Sequence, residues 1–190
     1  MIDAARLAQV IHGLRLILRV EPGGLSFFEK TYGGFVRSFL PALLLAPLHF
    51  VHSALTYSAM EAKPDTVSYA VVEVLAYVLT WTLFPFAMIY ITRILGQPQR
   101  YFDYIVPYNW LQLLVGLVVL PLTLLVDLKM LSTDGAAFFN FVILGLFLTY
   151  GTFLARTALN VATSTAFGIV ILDILLNLLS NEIIDKIGKS

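Results

Sequence analysis

Residues Tyr104–Val126 read YIVPYNWLQLLVGLVVLPLTLLV, a run without Asp, Glu, Lys or Arg. A helix rises about 1.5 Å per residue, so roughly 20 apolar residues cross the ~30 Å hydrocarbon core of a bilayer. A run of this length and composition predicts a membrane-spanning helix. Four more stretches fit the same criterion: Ser38–Thr56, Tyr69–Thr92, Ala136–Ala155 and Val161–Ser180. The connectors between the five are short and carry charges or turn residues: Glu61–Asp65, Gly96–Arg100, Asp127–Gly135 and Arg156–Asn160. Such residues are costly in lipid and cheap in water, and no connector is long enough to hold a soluble domain.

Composition agrees. Only 13% of the 190 residues are charged, against roughly 25% in soluble domains. Lys and Arg number 12, Asp and Glu number 12, and the net charge is zero, so the chain lacks the basic surface that nucleic acid requires. Disorder is excluded by 14 Phe, 9 Tyr and a large aliphatic excess. Cysteine is absent, which removes disulfides, thiolate metal sites, iron–sulfur ligation and a cysteine nucleophile. There is no Gly-rich phosphate loop, no Gly-x-Ser-x-Gly and no His-Glu-x-x-His. Three His residues without Cys are too few for a metal or haem site. No catalytic residue, metal or cofactor is expected.

The fold class expected is therefore all-α: a polytopic transmembrane bundle of five spans, preceded by an N-terminal interfacial amphipathic helix. Residues 1–37 form the amphipathic region, 38–180 the transmembrane domain and 181–190 a short polar tail. With five spans, one side of the membrane holds Arg6, Arg15, Arg19, Lys30, Arg37, Arg93, Arg100 and Arg156, and the other only Lys63, Lys129, Lys186 and Lys189. The positive-inside bias places the N-terminus in the cytoplasm and the C-terminus on the far side.

Arg15 and Arg19 interrupt the first apolar stretch, and no small-residue cleavage pattern follows, so it does not read as a cleavable signal peptide. As a helix, Leu7, Val10, Ile11, Leu14, Ile17 and Leu18 share one face. Gln9, His12, Arg15 and Arg19 share the other. This is the pattern of a helix lying on a membrane surface, with Arg15 and Arg19 towards headgroups. Pro22-Gly23-Gly24 ends it, and a second amphipathic stretch, Phe27 to Arg37, leads into span one.

Within the spans only Glu73 and Asp173 are charged. A charge near a helix centre costs about 2.5–3.5 kcal/mol on insertion scales, so each should face the interior and find a partner. His49 and His52, three apart on span one, are the candidates. Counting about 1.5 Å per residue, His49 lies roughly 16 Å above the start of span one and Asp173 roughly 18 Å above the start of span five. His52 and Glu73 are similarly matched towards the other side, so the expected pairs are His49 with Asp173 and His52 with Glu73. Together with Asn177, one turn beyond Asp173, they form a candidate intramembrane proton or ion site. The alternative is polar glue that fixes helix register. Pro41, Pro47, Pro85, Pro107 and Pro121 also fall in the spans, where they kink helices for packing or open backbone at a binding site.

At the second connector the chain reads Ile94-Leu95-Gly96-Gln97-Pro98-Gln99-Arg100-Tyr101-Phe102-Asp103-Tyr104. A Leu-Gly turn, a short polar stretch and an aromatic-rich start to span three, within five spans, resemble the Yip1 domain family over roughly residues 36–180. The Asp-Leu-Tyr-Gly-Pro stretch of the eukaryotic members is missing, so the comparison is with bacterial Yip1-like proteins. The resemblance implies a non-enzymatic inner-membrane protein. It would act as a membrane-organising or accessory subunit, with the lipid bilayer and a second copy or another membrane protein as partners. No Asn-x-Ser/Thr sequon is present, in keeping with a bacterial membrane. The competing expectation is a small transporter or channel using His49, His52, Glu73 and Asp173.

Overall fold

The run Tyr104–Val126 lies inside one helix, Tyr101–Asp127. The computed structural model describes residues 4–188, and these contain helices and no strand. In chain order the helices are α1 (Ala4–Leu18), α2 (Tyr32–Arg37), α3 (Leu40–Ala59), α4 (Thr66–Ile94), α5 (Tyr101–Asp127), α6 (Thr133–Leu159) and α7 (Thr163–Gly188). Short 3₁₀ turns, Pro22–Phe27 and Pro98–Arg100, precede α2 and α5. Five helical stretches are long and apolar enough to cross a membrane: Tyr32–Ala59, Thr66–Ile94, Pro98–Asp127, Thr133–Leu159 and Thr163–Glu182. Helix α7 runs on beyond Ser180 into the stretch expected to be a polar tail; residues 189–190 lie outside the described part.

Several helix ends are written in the local sequence. Asp65 and Ser132 cap α4 and α6 by accepting from Ser68 N (2.9 Å) and Gly135 N (3.1 Å). Thr31 caps α2 by accepting from Gly34 N at 3.0 Å. Such caps are worth about 1 kcal/mol each. Helix α4 stops where Gly96 turns to φ +66° and Gln97 N closes back to Thr92 O at 2.8 Å. The same device ends α1 at Val20, α5 at Lys129 and α6 at Asn160, all at positive φ. Pro41 sits in the first turn of α3, where its missing N–H costs nothing. Pro47, Pro85, Pro107 and Pro121 are interior.

The spans form a ring. Helix α3 packs on α5, α5 on α6, α6 on α7 and α7 on α4. The seam between α3 and α4 is bridged by side chains: Tyr57 to Thr66 (2.9 Å), Ser53 to Tyr69 (3.3 Å), and the Tyr77 hydroxyl to the Ala42 carbonyl. One end of the ring is filled. There Phe84 and Met88 of α4, Tyr104 and Ile105 of α5, Leu154 and Leu159 of α6, and Ala166 and Ile169 of α7 make a continuous buried core. Helix α1 lies at this same end. It inserts Val10, Leu14 and Ile17 into the core, and its last turn is held by Tyr150 Oη donating to Leu18 O at 3.1 Å. The N-terminal segment thus shares an end with the Gly96 and Asn160 turns, as the alternating direction of successive spans requires.

Helix α1 does not bury its apolar face as a single surface. Val10, Leu14 and Ile17 are buried, whereas Leu7, Ile11 and Leu18 are exposed beside the exposed Arg15 and Arg19. Outside the filled end the spans present Val71, Leu75, Leu117, Phe138, Phe141 and Leu178 to their surroundings. An apolar exterior on this scale fits a hydrocarbon environment and not water.

Candidate functional site

The ionisable residues of the spans are partnered, but in another pattern from the one expected. His49 Nε2 lies 3.7 Å from Glu73 Oε2, an ion-pair distance too long for a hydrogen bond, and that nitrogen has no hydrogen-bond partner among the described residues. His52 Nδ1 meets Asp127 Oδ2 at 2.5 Å. Asp173 pairs with neither histidine. Its Oδ2 accepts from Tyr108 Oη at 2.7 Å and its Oδ1 from Asn177 Nδ2 at 2.9 Å. The expected pairs His49–Asp173 and His52–Glu73 are therefore replaced. Rise per residue fixes height to within a turn, but azimuth turns ~100° with each residue, so matched height did not select the facing helix. Asp127 was missed because it stands at the last residue of α5, where it read as part of a polar connector.

Helix α5 supplies the middle of the site. Tyr108 and Gln112, one turn apart, project together: Gln112 Nε2 donates to Tyr108 Oη at 2.6 Å while that hydroxyl donates to Asp173. Asn109 Nδ2 donates to Ser38 Oγ at 2.9 Å, tying α5 to the α2–α3 junction. Asn109 Oδ1 has no partner among the described residues although the residue is only 1% exposed. On α7, Asn177 Nδ2 bonds both the side chain and the backbone carbonyl of Asp173, each at 2.9 Å.

These groups border a cavity of about 450 Å³ held between α3, α4, α5, α6 and α7. Tyr108, Asn109, Gln112, Asn177 and His49 line it, and so do Tyr77, Trp81, Phe147 and aliphatic side chains such as Leu45, Val119 and Ile143. The His49 ring lies against Tyr77, centroids 4.5 Å apart, at the α3–α4 seam. Its volume falls in the ~300–1,000 Å³ range of small-molecule sites, which combine apolar walls with a few placed polar groups. Towards the filled end, Phe84 and Tyr104 close the space beneath Tyr108. The buried core stops at Leu111 on α5, and the cavity extends from there along Val115 and Val119. The filled end closes it on that side. Asn109, Gln112, Tyr77 and Trp81 were not singled out from sequence, since all are uncharged, and Tyr108 was expected among the aromatic residues of the membrane interface, whereas it is buried. The available signal was the amides, as Asn109, Gln112 and Asn140 are polar groups in apolar spans just as Asn177 is.

The basic face lies elsewhere. Arg15 and Arg19 are exposed on α1, away from the chamber lining. Beneath α1, Glu29 pairs with Arg6 at 3.2 Å and with Arg37. The Arg37 guanidinium, then the Thr31 hydroxyl at 3.0 Å, hold the Glu29 carboxyl below its usual range. Among the described residues no three His, Asp or Glu side chains converge as metal ligands would. Compared with family models, curated proteins and solved structures, the chain matches none.

Proposed function

We propose that the protein is a small transporter or membrane-embedded carrier of the bacterial inner membrane that admits a small molecule into the chamber between its five spans. One observation carries this reading: a cavity of about 450 Å³ between the spans whose mostly apolar wall carries a few polar side chains, Tyr108, Asn109, Gln112, Asn140 and Asn177. Tyr108, Gln112 and Asn177 are tied to one another through Asp173, so the polar part of the wall is held in fixed positions beside the apolar part.

The Lys/Arg asymmetry supports an orientation with the filled end and α1 in the cytoplasm and the chamber towards the far side. Helix α1 then lies at the cytoplasmic interface. It would dip Leu7, Ile11 and Leu18 into the acyl layer while Arg15 and Arg19 meet anionic headgroups. That exposed stripe also supports a second reading, a Yip1-like organising or accessory subunit that acts through lipid and helix contacts.

The absence of cysteine makes the test direct. Single cysteines at Val115, Val119 and Ile143 should react with a membrane-impermeant thiol reagent added from the far side, and cysteines at Ile105 and Leu154 should not. Unreactive cysteines at all three chamber positions would remove the transport reading and leave the accessory one.

A further inference from the structure

Resting on the reading of the chamber as a ligand site, we propose that its ligand is an organic cation with an apolar body. The chamber would hold it by the negative charge of Asp173 and Glu73 and by the aromatic faces of Tyr77, Trp81 and Phe147.

Among the described residues no Lys or Arg lines the chamber. Asp173 is 1% exposed, and both its oxygens accept from neutral donors, Tyr108 and Asn177, which themselves line the chamber. Asp173 forms no ion pair among the described residues; the pairs there involve Glu29, Asp103, Glu73 and Asp127. A buried carboxylate without a counter-charge is expensive, and hydrogen bonds from neutral groups offset only part of that cost. Glu73 stands behind His49 in the same way, close to a ring that lines the chamber but without a hydrogen bond to it. Two carboxylates, each one residue behind the lining, would favour a cation over an anion in the chamber, and low surrounding polarity would strengthen that preference.

The remaining wall selects the body of the ligand. Tyr77 and Trp81 from α4 and Phe147 from α6 contribute aromatic rings to the lining, and a cation over a ring face gains about 0.5–2 kcal/mol. Leu45, Val119 and Ile143 suit hydrocarbon. A small hydrated metal ion would find no oxygen cage here, whereas a quaternary ammonium or phosphonium with apolar substituents would find both charge and contact.

The test uses the full chain in detergent or nanodiscs and three probes of similar shape: tetraphenylphosphonium, the neutral triphenylphosphine oxide and the anion tetraphenylborate. Saturable binding, read by equilibrium dialysis and by the change in Trp81 fluorescence against a Trp81→Phe control, is expected for the cation alone. Asp173→Asn should weaken it roughly tenfold or more, the scale of one lost charge interaction at low effective dielectric. Glu73→Gln should weaken it less. Should Asp173→Asn fail to fold, Glu73→Gln, at a half-buried position, still decides the matter. Ile143→Trp, which fills the chamber, should abolish binding. Equal binding of the neutral or anionic probe, unchanged affinity in folded Asp173→Asn and Glu73→Gln, or no saturable cation binding would each overturn the proposal. The cysteine reactivities of the chamber would stand or fall separately.

Discussion

Tyr108 Oη donates to Asp173 Oδ2 at 2.7 Å, joining α5 to α7 at the base of the chamber. Both residues are buried, and the same hydroxyl accepts from Gln112 at 2.6 Å. Among the described residues the most buried carboxylate thus rests on a tyrosine that also lines the chamber.

Tyr108→Phe should destabilise the protein by about 1–3 kcal/mol, because it removes one of two donors to a buried carboxylate and leaves Gln112 Nε2 without its acceptor. Asp173→Asn in the same background should cost less than in the wild type, since the oxygen that needed the tyrosine proton is no longer charged. Thermal unfolding in a fixed detergent, run as a double-mutant cycle, measures this coupling. A value of about 0.5–3 kcal/mol is expected, and simple additivity would show that the two residues do not act as a pair.

Glu29 gives the membrane-surface end a pH dependence. Its folded carboxyl is held below the ordinary value by Arg37 first, with Thr31 and Arg6 contributing. A depressed folded pKa means the unfolded chain takes up a proton first as the pH drops. The stabilisation is therefore complete above the unfolded value of about 4.5, and it fades as pH falls through the lower folded value. The pair is half exposed, so its size should stay below about 1 kcal/mol. The difference in Tm between wild type and Glu29→Gln should be constant near neutrality and shrink towards pH 3. A difference that grows on acidification would contradict the assignment.

Gly34 separates a packing requirement from a helix preference. A Cβ at this position would overlap the backbone carbonyl oxygen of Glu29, and backbone cannot swing aside as a flexible side chain can. Gly34→Ala should destabilise the α2 region by about 1–3 kcal/mol. Gly23→Ala, where a Cβ would meet nothing within 4 Å, should be near neutral. Proteolysis rates at Arg37 and Tm values compare the two, and equal effects would remove the close-approach explanation.

The spans were legible because hydrocarbon imposes a length: each expected stretch falls almost wholly inside its helix, Tyr69–Thr92 within Thr66–Ile94 and Ala136–Ala155 within Thr133–Leu159. Which turns share an end with α1 was legible too, from the alternating direction of successive spans. Partner choice was not. His49 found Glu73 and left Asp173 to Tyr108, because facing directions depend on how α3, α5 and α7 are arranged around the ring. Charge alone drew attention to Asp173, while Asn109 and Gln112 carried equal weight in the site without a charge to mark them. The division of the apolar face of α1 was hidden for a related reason. A single apolar face in the sequence can be divided between two neighbours, here the buried core taking Val10, Leu14 and Ile17 and the outside left with Leu7, Ile11 and Leu18.

Val20 offers the sharpest prediction about the fold alone. It ends α1 at φ +60°, with Val20 N bonded to Ile17 O at 2.8 Å and Glu21 N to Leu16 O at 3.0 Å. The corresponding position at the end of α4 is Gly96 and at the end of α6 is Asn160, residues that tolerate this conformation. A β-branched residue there costs roughly 1–2 kcal/mol, and its side chain, 50% exposed, recovers little of that by burial. Val20→Gly removes the clash but adds about 0.5–1 kcal/mol of unfolded-chain entropy. The net result should be a gain of up to about 1 kcal/mol, seen as a higher Tm. Val20→Asn should gain less and Val20→Ile nothing. The order Gly, Asn, then Val with Ile is the diagnostic, because a purely hydrophobic role for the exposed side chain would reverse it.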